Sequence, residues 1–374
     1  MDLELTDEQR MLGETLAGLL EKKYDANARL ALIDSEPGWS RELWRQYAEL
    51  GLLGLPFDEQ YGGAGMGPGE LAVVFEAFGR SLVLEPYLAT VVLGGGLVAA
   101  AGSPEQKADL LPRVAAGELL LAFASAEARS RWSLTDIETS AVEDGAGWRV
   151  SGQKIAVVGG DSADTLVVTA RTPAGTLGLF LVDGAAVRRD AYRMQDGLRG
   201  ADLLFDDTPA QALGVPDDDV LGAIESVLDV ATAALCAEAV GAMERALWLT
   251  VDYLKTRVQF GQPISVFQSL QHRAANMYVS LEQARSMALL ARLALADDSV
   301  EQRRTMVRAA KLQVDLAARH VGQEAVQLHG GIGMTMEYPV GHYLKRLTVI
   351  GKTIGDVDRL TELVGAAGGL VAAG

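Results

Sequence analysis

Cysteine is almost absent: one residue, Cys236, in 374. A lone cysteine excludes an internal disulfide. Cys236 lies in an Ala-rich helical stretch and reads as a small core residue of a protein from a reducing, cytoplasmic compartment. Histidine is also scarce. His272, His320, His329 and His342 have no Cys/His/Asp spacing that could build a metal centre. His329 reads as packing or hydrogen-bonding beside the glycine pair that follows it. Positive charge is in deficit, 33 Lys and Arg against 50 Asp and Glu, for a net charge of −17. That balance excludes nucleic acid and anionic membrane surfaces as partners, and any bound phosphate must be met by a local cation. Low-complexity blocks are missing, which excludes extended disorder. The longest apolar run, from Tyr87 to Gly102, is Gly-rich and shorter than the roughly 20 residues of a bilayer span. It reads as a buried helix pair or helix-turn of a soluble protein, with Gly94-Gly95-Gly96 as a helix junction. The acidic start, Met1-Asp2-Leu3-Glu4, suits neither a signal nor a transit peptide.

What is present falls into three zones, predicted as domains 1–117, 118–216 and 217–374. The first is helical. Thr6-Asp7-Glu8-Gln9 is a capping box, in which hydroxyl and amide satisfy orphan backbone donors. Leu12, Leu16, Leu19 and Leu20 follow at helical spacing. Leu43, Tyr47, Leu50 and Leu53 form a second stripe, ended by Gly51, Gly54 and Pro56. Ser103-Pro104 starts another helix as cap and first residue. The middle zone has short branched runs at Trp148–Gly152, Thr165–Ala170 and Leu177–Val182, which read as strands of a compact β unit closed by Pro216-Asp217-Asp218-Asp219. The last zone is helical again. Met277, Leu281, Ala284, Ala288 and Ala291 recur on one face, as in a bundle helix.

One constellation carries chemistry: Arg257-Val258-Gln259-Phe260-Gly261-Gln262-Pro263-Ile264, then Phe267-Gln268, and later Gln327-Leu328-His329-Gly330-Gly331. Arg257 offers a permanent planar cation suited to a pyrophosphate. Phe260 offers a flat ring, Gln268 and Gln327 neutral amides, and the glycines a bare backbone for close approach. The amides alone would equally suit buried interface positions. Together the group reads as a dinucleotide grip without a Rossmann motif. Lys345-Arg346 reads as a solvated or interface face of its helix.

This segment resembles the flavin-clasping half of the acyl-CoA dehydrogenase family. Pro56-Phe57-Asp58-Glu59-Gln60-Tyr61-Gly62-Gly63, Gly152-Gln153-Lys154 and Glu337-Tyr338-Pro339-Val340 resemble further family landmarks in the expected order, across the whole chain. The resemblance implies an α+β fold: an N-terminal helical domain, a middle β-barrel-like domain and a C-terminal four-helix bundle. It implies FAD as cofactor, an acyl-CoA substrate and electron-transfer flavoprotein as acceptor. It also implies that Arg257, Phe260, Phe267, Gln268, Gln327, Leu328, Gly330 and Gly331 hold the FAD of a neighbouring chain.

The other half of the site departs from the family. Its proton-abstracting Glu, in a Tyr-Glu-Gly-Thr turn, falls by ungapped counting on Ile354, within Thr353-Ile354-Gly355-Asp356. The alternative base position falls on Ala231, a nearby family Arg on Thr232, and a family acid linked to ligand binding on Asp229. Neither Ile354 nor Ala231 can accept a proton. Glu238, two helical turns after Ala231, is the nearest substitute. The family's Thr-Glu-Pro-Gly-x-Gly-Ser-Asp loop reads Ala126-Glu127-Ala128-Arg129-Ser130-Arg131-Trp132-Ser133, with Arg for both glycines, bulk expected where a ligand lies, and Trp for the hydroxyl. Its Trp-x-Thr flavin element reads Ala156-Val157-Val158. These losses beside an intact clasp lead to a first expectation: a base-lacking subunit, inactive alone, that completes the FAD site of a homologous partner in an α2β2 heterotetramer. Such pairs resemble those acting on bulky CoA thioesters such as steroid side chains. A self-sufficient homo-oligomer with an unusual base and a flavin-free scaffold are the alternatives.

Overall fold

The computed structural model describes residues 5–369 apart from 131, 146 and 216–218. Met1-Asp2-Leu3-Glu4, Arg131 and the Pro216-Asp217-Asp218 closure therefore lie outside the described residues. In chain order the structure has α1 (Asp7–Lys23), α2 (Ala26–Asp34), α3 (Arg41–Glu49) and α4 (Pro68–Ser81). A π-helical segment (Leu88–Gly95) then runs into α5 (Gly96–Ala101), followed by α6 (Pro104–Ala115). The strands are β1 (Leu121–Ala124), β2 (Ser140–Asp144), β3 (Gly147–Val158), β4 (Thr165–Arg171), β5 (Leu177–Asp183), β6 (Arg188–Arg193) and β7 (Arg199–Ala212). After them come α7 (Val220–Thr256), the hairpin β8 (Val258–Gln259) and β9 (Gln262–Pro263), α8 (Gln268–Ala294), α9 (Val300–His329), α10 (Val340–Ile350) and α11 (Val357–Ala366).

Local chemistry sets these boundaries. At α1 the Gln9 backbone N–H donates to Thr6 Oγ1 at 3.2 Å, and Gln9 returns the bond to the Thr6 N–H at 3.1 Å. Ser103 and Gln106 do the same at α6, with Pro104 in the first turn. The second expected stripe holds only in part: Leu43, Tyr47 and Leu53 are buried, but Leu50 is 49% exposed. The α3 helix ends at Glu49, and the 3₁₀ turn that follows, beginning at Leu52 after Gly51 at φ 73°, shifts the phase.

The chain packs as two compact units, neither continuous in sequence. One comprises Leu32–Gly67 and Leu84–Ala231. Its centre is a seven-stranded sheet in which six strands run in the order β1-β4-β2-β3-β7-β5 and β6 pairs with β7 off that path; an additional β4–β5 pairing closes the sheet on itself. The closed core is filled by Val150, Leu166, Val168, Phe180, Val182 and Leu203, among others. The π-helical segment is buried throughout, and Thr90 ties it to β1 by donating to the Leu121 carbonyl at 3.1 Å. The expected apolar run is thus one helix that changes pitch at the glycine triplet.

The other unit comprises Met1–Ala31, Pro68–Val83 and Thr232–Gly374. Here α8 presents Met277, Leu281, Ala284 and Ala291 to the core, as its spacing requires. Ala233, Ala291 and Ala310 meet where α7, α8 and α9 approach one another. At the α4–α7 crossing, glycines face backbone. A Cβ on Gly79 would lie 1.9 Å from the Glu238 carbonyl oxygen, and one on Gly241 2.0 Å from that of Glu76. Only glycine permits this approach. By length and composition α7, rather than the run from Tyr87, is the helix that could cross a bilayer. In this structure 61% of its most apolar stretch is buried within the protein, as in a core helix. Cys236 on α7 is buried, and burial pushes its thiol up to about 12, so it is inert at neutral pH.

Candidate functional site

The clasp is built where α7 ends. The Arg257 N–H closes the last helical turn on the Tyr253 carbonyl at 2.8 Å, and the Ile264 N–H donates to the Arg257 carbonyl at 2.9 Å, which fixes the base of the β8–β9 hairpin. The two loop residues, Phe260 and Gly261, both have positive φ, 55° and 77°. Such a tight turn favours Asn-Gly. A phenylalanine in the left-handed region costs about 1–2 kcal/mol. Among the described residues little offsets that cost, because Phe260 is 90% exposed and its ring contact is with the edge of the Phe267 ring, 6.1 Å away.

Gln268 opens α8, exposed, and Gln327 lies exposed in the last turn of α9. Arg273 and Glu324, in a two-pronged ion pair at 2.6 and 3.0 Å, join the start of α8 to the end of α9 and so bring the two amides to the same end of the bundle. Gly330, at φ 63°, and Gly331 are exposed, with open space where a Cβ would stand. Leu328 departs from the expectation: it is 6% exposed and belongs to the core, so it offers a ligand only its backbone. Beneath these groups, the His329 ring stacks on Tyr253 at 4.5 Å and tilts against Tyr338 at 4.8 Å. This aromatic stack joins the Arg257 arm to the glycine turn. Tyr253 went unremarked in the sequence, although it stands one helical turn before Arg257; Tyr338 was read only as part of the Glu337-Tyr338-Pro339-Val340 landmark.

In the same unit, Ile354 occupies a turn with φ 60°, followed by Gly355 at 111°. A β-branched residue there is an outlier of the backbone map. The bend is held from both sides: buried Lys311 donates to the Ile350 carbonyl at 3.0 Å, and Asp356 caps α11 by accepting from the Arg359 N–H at 3.0 Å. A special backbone position therefore persists where the resemblance puts the base, with an aliphatic side chain on it. Glu238 is no substitute. Its carboxylate accepts both prongs of Arg346 at 2.6 and 2.7 Å, and both residues are buried. That pair also corrects the reading of Lys345-Arg346, since Arg346 points into the core.

The sheet unit has its own version of this pattern. Ala231, at the end of that unit, is fully buried. Lys154, also fully buried, donates to Glu127 at 2.7 Å, to Thr169 Oγ1 at 2.9 Å and to the Ser125 carbonyl at 3.2 Å. Burial pushes the Glu127 carboxyl upward, but bonds from the Glu138 N–H, Lys154 and Thr139 outweigh it and hold the group below its usual range. Burial shifts Lys154 downward. Glu127, kept in a loop otherwise changed, and Lys154, from the retained Gly152-Gln153-Lys154 landmark, thus form a structural pair. Ala156 sits at φ 52° in a β-bulge, its N–H donating to Asp202 at 2.9 Å. Val157 is core and Val158 half-buried, so neither a flat ring nor a hydroxyl is presented. Arg129 also departs from the expectation. Its side chain is 83% exposed and pairs with Glu138 at 3.2 Å, so its bulk turns to solvent. What the loop lacks is the family's glycine freedom and hydroxyl.

Comparison with known proteins agrees with this geometry. Residues 6–118 match the acyl-CoA dehydrogenase N-terminal domain, and residues 221–367 match the acyl-CoA dehydrogenase C-terminal domain. The probable acyl-CoA dehydrogenase YngJ of Bacillus subtilis is 30% identical over 96% of this chain and 98% of its own length. The chain belongs to the acyl-CoA dehydrogenase family. Another relative, the acyl-CoA dehydrogenase IpdE2 of Mycobacterium tuberculosis, is 32% identical over 91% of each chain. Among solved structures, the Tcur3481-Tcur3483 steroid ACAD variant superposes with a TM-score of 0.86 at 33% identity, covering 97% of this chain and 99% of its own. The ChsE4-ChsE5 complex from Mycobacterium tuberculosis superposes at 0.88 with 26% identity and 98% coverage of both chains. The fold expectation, helical, barrel-like and helical zones in order, is borne out. Members of the acyl-CoA dehydrogenase family bind FAD, and the exposed Arg257 fork, the Phe260 ring and the bare Gly330–Gly331 backbone fit the phosphate-bearing part of such a cofactor.

Proposed function

We propose that this chain is the base-lacking subunit of a heteromeric acyl-CoA dehydrogenase, and that its clasp completes the FAD site of a homologous partner. FAD, when bound, supplies the two-electron acceptor for α,β-dehydrogenation of a CoA thioester. The residues of this chain grip rather than react: Arg257 neutralises phosphate, Phe260 covers a flat surface, and Gln268, Gln327 and the Gly330–Gly331 backbone orient and exclude water. The α-proton goes to a carboxylate of the partner, because Ile354 and Ala231 have none and Glu238 is committed to Arg346. The observation that carries this reading is Phe260, strained and 90% exposed beside an exposed arginine. The same unit also exposes Val258, Val266, Tyr278, Val279, Ile332, Met334 and Met336, each at least 41%. Two of the similar structures are of paired proteins, Tcur3481 with Tcur3483 and ChsE4 with ChsE5, and the first is a steroid ACAD. Both support a homologous partner here, and the first supports a bulky, steroid-like acyl group. A further similar structure, of the electron transferring flavoprotein of Acidaminococcus fermentans, supports such a protein as acceptor.

Stoichiometry tests the proposal. A two-plus-two complex should hold two FAD, because the Arg129–Trp132 loop and Val158 offer the ring neither glycine freedom nor a hydroxyl. The lone chain should show no acyl-CoA turnover at ordinary enzyme rates, roughly 1–10³ per second. One FAD per chain, by flavin absorbance against protein concentration, sinks the divided-site reading and favours a self-sufficient enzyme.

Arg257→Ala should lower the FAD affinity of the complex roughly ten- to a hundredfold. A charge-assisted phosphate contact is worth about 1.5–3 kcal/mol. Equilibrium dialysis of FAD against wild-type and variant complexes measures this. Equal affinities would make Arg257 an ordinary interface residue.

A further inference from the structure

His329 is 4% exposed and sits at the junction of the clasp's two arms. Its Nδ1 lies 2.7 Å from the Ala325 carbonyl. A carbonyl only accepts, so Nδ1 carries the proton and Nε2 is left as a lone-pair acceptor. Among the described residues that buried Nε2 has no hydrogen-bond partner. The ring faces Tyr253 on one element at 4.5 Å and Tyr338 on another at 4.8 Å. Tyr253 is the residue whose carbonyl receives the Arg257 N–H, and His329 directly precedes Gly330. We propose that His329 is the positioning residue of the clasp: its neutral ring sets the spacing between the Arg257 arm and the Gly330–Gly331 turn, and protonation loosens the grip on the cofactor's phosphates. The inference rests on the clasp reading and adds a pH-sensitive element to it.

The physical reason is the orphan nitrogen. Protonated, Nε2 becomes a buried cationic donor with no acceptor, which is among the costliest groups a core can hold. Within the stack Tyr338 is acted on by Tyr253, Asp252 and Arg245, all on α7, whereas His329 is acted on by burial and by the Ala325 carbonyl. On His329 itself burial dominates and lowers its pKa, with the Ala325 bond opposing. A folded pKa below the unfolded one means that the unfolded chain binds more protons. The stabilisation is therefore complete above about pH 6.5, the ordinary histidine value, and lost progressively below it. His342 on α10, which bonds the Met336 carbonyl at 2.9 Å, is shifted the same way and adds a background slope. Only a change confined to His329 isolates the effect.

The test measures FAD affinity of the full complex between pH 8 and pH 5.5 for wild type, His329→Phe and His329→Ala, with Arg257→Ala as control. Wild type should weaken about tenfold on acidification, the scale set by burying an unpaired donor. His329→Phe, which keeps a stacking ring and cannot titrate, should lose that pH dependence. His329→Ala should be weaker by about tenfold at every pH. If the alanine variant does not fold, the phenylalanine variant alone decides. A wild-type pH profile carried unchanged into His329→Phe overturns the positioning role while leaving the clasp intact. Full FAD affinity in Arg257→Ala overturns the clasp reading instead.

Discussion

Gly241→Ala is expected to destabilise the chain by about 3 kcal/mol or more, the upper end of overpacking effects. The added methyl would stand 2.0 Å from the Glu76 carbonyl oxygen, and the obstacle is backbone in a helix rather than the end of a flexible side chain. Relief requires α4 and α7 to move apart. The ion pairs beside the crossing, Arg80–Glu244 and Arg285–Glu76, would then be disturbed as well. For a unit of this size the change corresponds to a fall in Tm of roughly 6–12 °C. Calorimetry on the purified variant measures it. A Tm within a degree of wild type would mean that the helices are not in backbone contact there.

Glu238→Ala should cost about as much for a different reason. It leaves the Arg346 guanidinium buried, 5% exposed, without the carboxylate that now takes both its prongs. Breaking a buried pair by removing one partner typically costs about 3–5 kcal/mol, whereas replacing both by apolar groups of similar volume is often neutral. The double variant Glu238→Leu/Arg346→Met should accordingly recover most of the loss in thermal stability. Were Glu238 instead the proton acceptor, Glu238→Ala would keep its stability and lose turnover.

The parts of this protein that were legible in its sequence are those encoded over a few residues. The capping boxes at Thr6 and Ser103 hold within three positions, and the core stripe of α8 repeats at the helical period. The hairpin at Phe260-Gly261 was not read, because Phe-Gly is not the Asn-Gly pair that marks such a turn. Leu328 could also have been placed correctly, since it shares a helix face with Val321 and Ala325, both buried. The unread features connect distant positions. Glu238 and Arg346 stand 108 residues apart, and neither has a local neighbour that signals its mate. Residues 68–83 join the C-terminal helices because Gly79 and Gly241 let backbones touch, a fact no hydrophobic period records. The outward turn of Arg129 depends on Glu138 across its loop. At the site, lost side chains were readable by counting; the surviving backbone at Ile354 and Ala156 was not, because positive φ in a non-glycine residue leaves no mark on composition.

On the proposed pairing, the Phe260 hairpin has a consequence for the choice of partner. Its backbone is already held in a closed two-residue turn, so covering the ring orders the side chain and little of the main chain. Removing a phenylalanine side chain from water yields about 1.5–3 kcal/mol, and a preorganised contact keeps most of that gain as affinity. The backbone cost at Phe260 is thus one that a matching surface would offset by burying the ring. On the proposed pairing, an ill-fitting surface would leave the ring wet and that cost without an offset, so the folded chain itself would favour a matching partner.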